Sequence, residues 1–175
     1  MAVRPISITG DPVLHSPASE VTVVDDELRA LVADMFETMD AAPGVGLAGP
    51  QVGVGKRLFV YSWTDDDGTL WRGVAVNPTL WQSPLSIEPL DDESESEGCL
   101  SVPGFWFPTP RWSYARVEGV DLDGAPVVLE GTGLMAQALQ HETDHLAGTL
   151  YVMTLEGETR REALREIRSS DWWRA

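Results

Sequence analysis

LQHETDHLAG, residues 139–148, contains two of the chain's three histidines, His141 and His145, with Glu142 between them. On a helix, four residues turn the chain about 400°, so both imidazoles return to nearly one face a turn apart. Two rings placed this way can reach one ion. Glu142 lies about 100° round from His141, beside that face, where its carboxylate can hold a water without being a ligand itself. The pattern is His-Glu-x-x-His, two metal ligands plus a general base. The preceding LMAQALQ, residues 134–140, is apolar enough to bury the helix, and a buried helix has little other use for His, Glu, Asp and His together. Thr132 as N-cap and Gly148 as C-terminal stop predict a helix over Gly133–Ala147.

Working outward, Asp25–Met39 places Leu28, Leu31, Val32, Met35, Phe36 and Met39 at helical spacing, with acids in its first turn. KRLFVYSW (56–63) and LWRGVAVNPTLW (70–81) read as strands rich in aromatic and β-branched residues, ended by the turn-forming DDDG and Asn77-Pro78. Residues 115–131 alternate apolar and polar around Asp123-Gly124, a hairpin signature. A last, exposed helix is predicted near 156–169. This order lacks regular strand–helix alternation and argues for an α+β fold, mainly antiparallel strands packed around a metal-binding helix. With no repeat and no linker, residues 1–175 read as one catalytic domain whose C-terminal helix and tail occupy about 156–175.

The formal net charge is −16, which repels phosphate backbones and disfavours general nucleic-acid binding. The N-terminus lacks a basic region followed by an apolar one, and no segment approaches the roughly 18–20 apolar residues that span a bilayer. A cytoplasmic protein without membrane contact is expected.

Two histidines leave a hydrolytic site one protein ligand short of the usual three. His15 lies in a distant turn, DPVLHSPASE (11–20). Glu158, Glu162 and Glu166 follow at distances reminiscent of zinc proteases with a downstream glutamate, but they alternate with Arg161 and Arg165 and read more simply as salt-bridged surface. Cys99, the single cysteine, is the other candidate. It excludes an intramolecular disulfide, and a lone thiol is often just a small buried hydrophobe. It follows an acid run of Glu88, Asp91, Asp92, Glu93, Glu95 and Glu97, and Gly98 would let backbone approach a metal closely. GVGLAGPQVG (44–53) is a poor nucleotide signature, without the Lys-Ser/Thr of a phosphate loop, and suits a loop passing beside a substrate and ending in polar Gln51.

Together, Gly44-Val45-Gly46-Leu47-Ala48-Gly49-Pro50-Gln51, Glu97-Gly98-Cys99-Leu100-Ser101 and Gln140-His141-Glu142-Thr143-Asp144-His145 resemble the three motifs of the peptide deformylase family, in its order and spacing. With ITGDPVLHSPASEV (8–21) and ARVEGVDLDG (115–124), the resemblance extends over about residues 5–155. It implies removal of the N-formyl group from the initiator methionine of nascent polypeptides, with release of formate. It implies Cys99, His141 and His145 as ligands of one divalent metal, iron(II) foremost, with zinc, nickel or cobalt also accommodated. Glu142 would serve as general base and then acid, and the Gln51 amide and Leu100 backbone N–H as donors to the oxyanion. Val45, Gly46, Leu100 and Leu134 are the positions matching a substrate-methionine pocket.

Four features depart from the family pattern or stand beyond the three motifs. Gly49 stands where the family usually has alanine, which should loosen its loop. Trp106 occupies a region where many members carry a polar or basic residue, and Trp106 and Phe107 are expected to reshape the peptide groove or to form an aromatic lid. Arg111 is expected to pair with Asp144 and so orient the metal helix. The C-terminal stretch holds five of the twelve basic residues and reads as a solvated, salt-bridged helix and frayed tail, with a contact to ribosomal RNA as the alternative. The rival readings are a small His-Glu-x-x-His metalloprotease with a glutamate third ligand, and a catalytically silent metal-binding protein. Gln51 and Glu142, useful only for turnover, argue against the second.

Overall fold

The computed structural model describes residues 2–42, 44–65, 67–83 and 96–173, and the backbone of 87–88. Most of the acid run before Cys99 lies outside the described residues. Helix α1 (Asp26–Ala41) is opened by Asp25, whose carboxylate accepts from the Leu28 N–H at 2.9 Å and satisfies one of the helix's orphan donors. Leu28, Leu31, Val32, Met35 and Met39 are buried along one stripe. Each such side chain contributes about 1.5–3 kcal/mol on burial. Phe36 sits at the edge of the stripe, half-buried, with the Arg72 guanidinium 4.5 Å above its ring.

The strands in chain order are β1 (Gly46–Ala48), β2 (Leu58–Thr64), β3 (Leu70–Gln82), β4 (Ile87–Glu88), β5 (Glu97–Cys99), β6 (Val102–Phe107), β7 (Arg111–Trp112), β8 (Tyr114–Val120) and β9 (Pro126–Thr132). Five form an antiparallel sheet in the order β1-β2-β3-β8-β9, while β4 pairs with β7 and β5 with β6. Leu58 and Val60 of β2 pack toward α1, and the alternate residues Phe59 and Tyr61 pack on the other face. The run 58–61 is apolar without alternation because a strand covered on both faces needs apolar residues at both phases of its period.

The cover on that second face is α2 (Gly133–Leu146), whose Ala136, Leu139 and Leu146 meet Phe59, Ala115, Val117 and Leu129. The expected hairpin of β8 and β9 delivers the chain directly into this helix. Thr132 holds the extended N-cap conformation but makes no side-chain capping bond. After α2, Gly148 takes a φ of 77°, and a Cβ there would come within 2.8 Å of the Ser16 backbone.

Asn77-Pro78 does not end β3. The strand continues to Gln82, and its pairing with β8 shifts register between Val76 and Thr79. Proline lacks the N–H a regular ladder needs, so the dipeptide makes a bulge. Asn77, at φ 49°, uses its amide to bind both the N–H and the carbonyl of Val21, at 2.9 and 2.8 Å.

The last helix, α4 (Gly157–Ser169), follows a single turn, α3 (Tyr151–Thr154), that is too short to carry a periodic signal. It is not wholly exposed: Ala163 and Ile167 join Leu150, Tyr151, Leu155 and Phe107 in a third apolar cluster. Phe107 therefore belongs to the core, while Trp106, one residue away on β6, points outward.

Candidate metal centre

Strand β5 brings Cys99 to the two histidines of α2. The Cys99 Sγ lies 3.3 Å from His145 Nε2, and the two histidine Nε2 atoms are 3.1 Å apart. All three ligand atoms fall within 4.8 Å of one another. Ligands around one tetrahedral ion at ordinary metal–N and metal–S distances are separated by about 3.3–3.7 Å, so the set fits a single divalent cation.

Its surroundings fix the donors. His141 Nδ1 meets Glu97 Oε1 at 2.5 Å, which commits that nitrogen to donating and leaves Nε2 free to face the cluster. Glu97 is gripped by Arg111, Nη2 to Oε1 at 2.6 Å and Nε to Oε2 at 2.7 Å, and Arg111 reaches on to Asp144 at 2.6 Å. The Arg111–Asp144 pairing expected from sequence is present. The stronger partner, Glu97, ends the acid run and opens the Glu97–Ser101 motif in the sequence, with no role of its own assigned there. Its signal is its place two residues before Cys99 on a strand, which puts both side chains toward the same side.

The electrostatics favour a cation here. Burial opposes charge on His141, yet the Cys99 sulfur and the Glu97 carboxylate hold its pKa well above the ordinary value. Burial, with the charges of His141 and Arg111, pushes His145 well below its ordinary value and so toward the neutral, ligating form. Burial would raise Glu97, but its bonds to Arg111 and His141 outweigh it and keep the carboxylate ionised.

Glu142 is buried beside the ligands, and burial pushes its pKa up to about 7 against the pull of His141. Among the described residues, its Oε2 is a buried side-chain oxygen without a hydrogen-bond partner. Gly46 explains how it fits: a Cβ on Gly46 would lie 2.7 Å from the Glu142 carboxyl carbon, so β1 backbone rests directly on the carboxylate. Gln51 is oriented by its own loop, Oε1 accepting from the Ala48 N–H at 2.8 Å, which turns Nε2 toward Cys99 Sγ at 3.6 Å and Ser101 Oγ at 3.4 Å. Ser101, buried, also donates its N–H toward Cys99 Sγ at 3.4 Å, a role not assigned from sequence. Gly49 sits where this loop meets residues 54–56. A Cβ there would lie 2.7 Å from the Lys56 carbonyl oxygen, so the glycine lets residues 54–56 close in.

These groups open on a cleft of about 430 Å³, lined by Val45, Gly46, Leu100 and Leu134 together with Gln137, Ala138 and Trp106. The competing third ligands stand elsewhere. His15 Nε2 accepts from the Gly10 N–H at 3.1 Å, and Glu158, Glu162 and Glu166 lie on α4, where Glu162 faces Arg165 at 3.6 Å.

The chain matches the family model described as polypeptide deformylase over residues 3–161. It is 51% identical over 173 residues to peptide deformylase 2 of Corynebacterium efficiens, covering 98% of this chain and 90% of the relative. It is 54% identical over 179 aligned positions to a peptide deformylase of Mycolicibacterium paratuberculosis, covering 98% and 91%. Among solved structures, a peptide deformylase from Legionella pneumophila superposes with a TM-score of 0.80 at 37% identity, covering 99% of this chain and 98% of the other. One from Thermus thermophilus gives 0.78 at 39% identity, covering 95% and 94%.

Proposed function

The chain belongs to the polypeptide deformylase family, and from that premise we propose how its own residues carry out the hydrolysis of the N-formyl group of formylmethionine on nascent polypeptides. The observation that carries the reading is a three-donor cluster within 4.8 Å beside a buried carboxylate in one cleft.

Cys99, His141 and His145 would hold the ion, for which we propose iron(II), with zinc, nickel and cobalt chemically admissible for the same donors. When bound, a divalent cation supplies Lewis-acid activation of water and of the formyl carbonyl. Glu142 takes a proton from the attacking water as the new C–O bond forms at the formyl carbon. It then gives that proton to the methionine nitrogen as the C–N bond breaks, leaving formate and a free amine. A carboxyl raised to about 7 by burial is matched to accepting and returning one proton near neutral pH. The Gln51 amide and the Leu100 N–H are the donors proposed for the developing oxyanion. Val45, Gly46 and Leu134 are proposed to flank the methionine side chain.

We read residues 1–175 as one catalytic domain acting in the cytoplasm. No helix among the described residues is long and apolar enough to cross a membrane. The exposed Arg160, Arg161, Arg165 and Arg168 of α4 are the surface we propose for approach to the ribosome, since with four arginines against three glutamates this helix is slightly positive on a chain of net charge −16.

The test is formate release from a formylmethionyl tripeptide by protein purified without oxygen and loaded with iron(II), beside Glu142→Gln. Rapid release that vanishes in the variant supports the reaction and the base together. No release from folded, metal-loaded protein overturns the reading.

A further inference from the structure

Trp106 is left 64% exposed on the outward side of β6, although it is among the most apolar groups in the chain. Its ring lies against Gly98: a Cβ on Gly98 would come within 2.5 Å of the indole Cδ1 and 3.1 Å of Cε2. The indole is thus seated on bare backbone and lines the catalytic cleft. Gly98 immediately precedes Cys99, so the ring is seated on the chain neighbour of a residue of the metal centre. Leu100, Pro103 and Leu134 share the cleft wall, and Leu134 is itself 68% exposed. An apolar rim around a reaction centre is stabilised when an apolar group covers it, and a fixed aromatic ring adds a stacking preference to that burial. An extended peptide advances about 3.3–3.6 Å per residue, so a substrate leaving the reaction centre carries its next one or two side chains past this ring.

We infer that Trp106 is a specificity-determining residue. It stacks against a large apolar or aromatic side chain at one of the first two positions after the formylmethionine, and this gives the enzyme a preference for such N-termini. The inference rests on the deformylase reading and names its substrate class more narrowly. A cation could also sit on an indole face, but the apolar companions of Trp106 on the rim favour an apolar occupant.

The experiment measures kcat and KM on formyl-Met-X-Ser and formyl-Met-Ala-X, with X as Gly, Phe or Arg, for the iron(II)-loaded wild type, Trp106→Ala and Trp106→Phe. The wild type is expected to favour phenylalanine over glycine by about three- to tenfold in kcat/KM at one of the two positions, chiefly through KM. Trp106→Ala should bring that ratio close to one, and Trp106→Phe should keep most of it. A preference that survives in Trp106→Ala, no preference in the wild type, or a preference for arginine in its place overturns the inference. Should no peptide release formate, the deformylase reading fails instead. The inference is then judged by calorimetric affinities for the same peptides, where the same loss in Trp106→Ala supports it and its absence overturns it.

Discussion

The guanidinium of Arg111 holds Glu97 through two hydrogen bonds of 2.6 and 2.7 Å, both groups almost fully buried, and through Glu97 it sets the ring of His141. Replacing Arg111 with methionine leaves Glu97 and Asp144 without their shared cation. The expected result is a loss of metal affinity of about 10–100-fold, because the partner that orients a ligand is gone. Breaking one side of a buried pair also costs about 3–5 kcal/mol of stability. Metal content after dialysis, measured by atomic absorption, decides it; full retention would sink the idea.

Cys99→Ala separates the deformylase centre from a protease that recruits a downstream glutamate. The variant should come through purification without its metal, whereas a protease built on His141, His145 and a glutamate of α4 would keep it. Stoichiometric metal in Cys99→Ala would therefore count against the whole ligand assignment.

Glu142→Gln removes the proton carrier and leaves the three ligand side chains untouched. A fall in kcat of about 10²–10⁴ with unchanged metal content is expected. Equal losses of metal and activity would mean that Glu142 acts structurally.

Gly46→Ala tests the contact between β1 and the Glu142 carboxylate, since the added methyl must displace a group 2.7 Å away. The prediction is near-native circular dichroism and metal content together with a kcat reduced at least tenfold, on the principle that about 1 Å of misplacement can cost 10²-fold. Unaltered kcat would show that the carboxylate has room to shift without consequence.

Gly148→Ala addresses folding rather than chemistry. A left-handed φ of 77° and a backbone neighbour at 2.8 Å both oppose a side chain there. Strain of about 1–3 kcal/mol should appear as a lower urea midpoint, with the slope of the transition unchanged. An unchanged midpoint would refute it.

The metal helix and α1 were legible in the sequence because both are long, periodic and punctuated, by Asp25 at one start and Gly148 at the other end. The 114–132 hairpin was legible from its apolar–polar alternation on either side of the Asp123-Gly124 turn. Asn77-Pro78 misled because a turn dipeptide and a strand bulge use the same residues, and the choice was made by pairing with β8, which is distant in the chain. Phe107 and Trp106 could not be told apart before the strand's facing was known. In the site, Cys99, His141 and His145 came together as their motifs suggested. The roles of Glu97 and Ser101 depended on which way β5 turns toward α2, a tertiary fact with no local signature.

Cys99 has one further consequence, because it is only partly buried and the chain has no second cysteine. A sulfenate formed there has no second cysteine of this chain with which to close a protective disulfide. Oxidation of this one sulfur would take away one of the three donors of the candidate metal cluster.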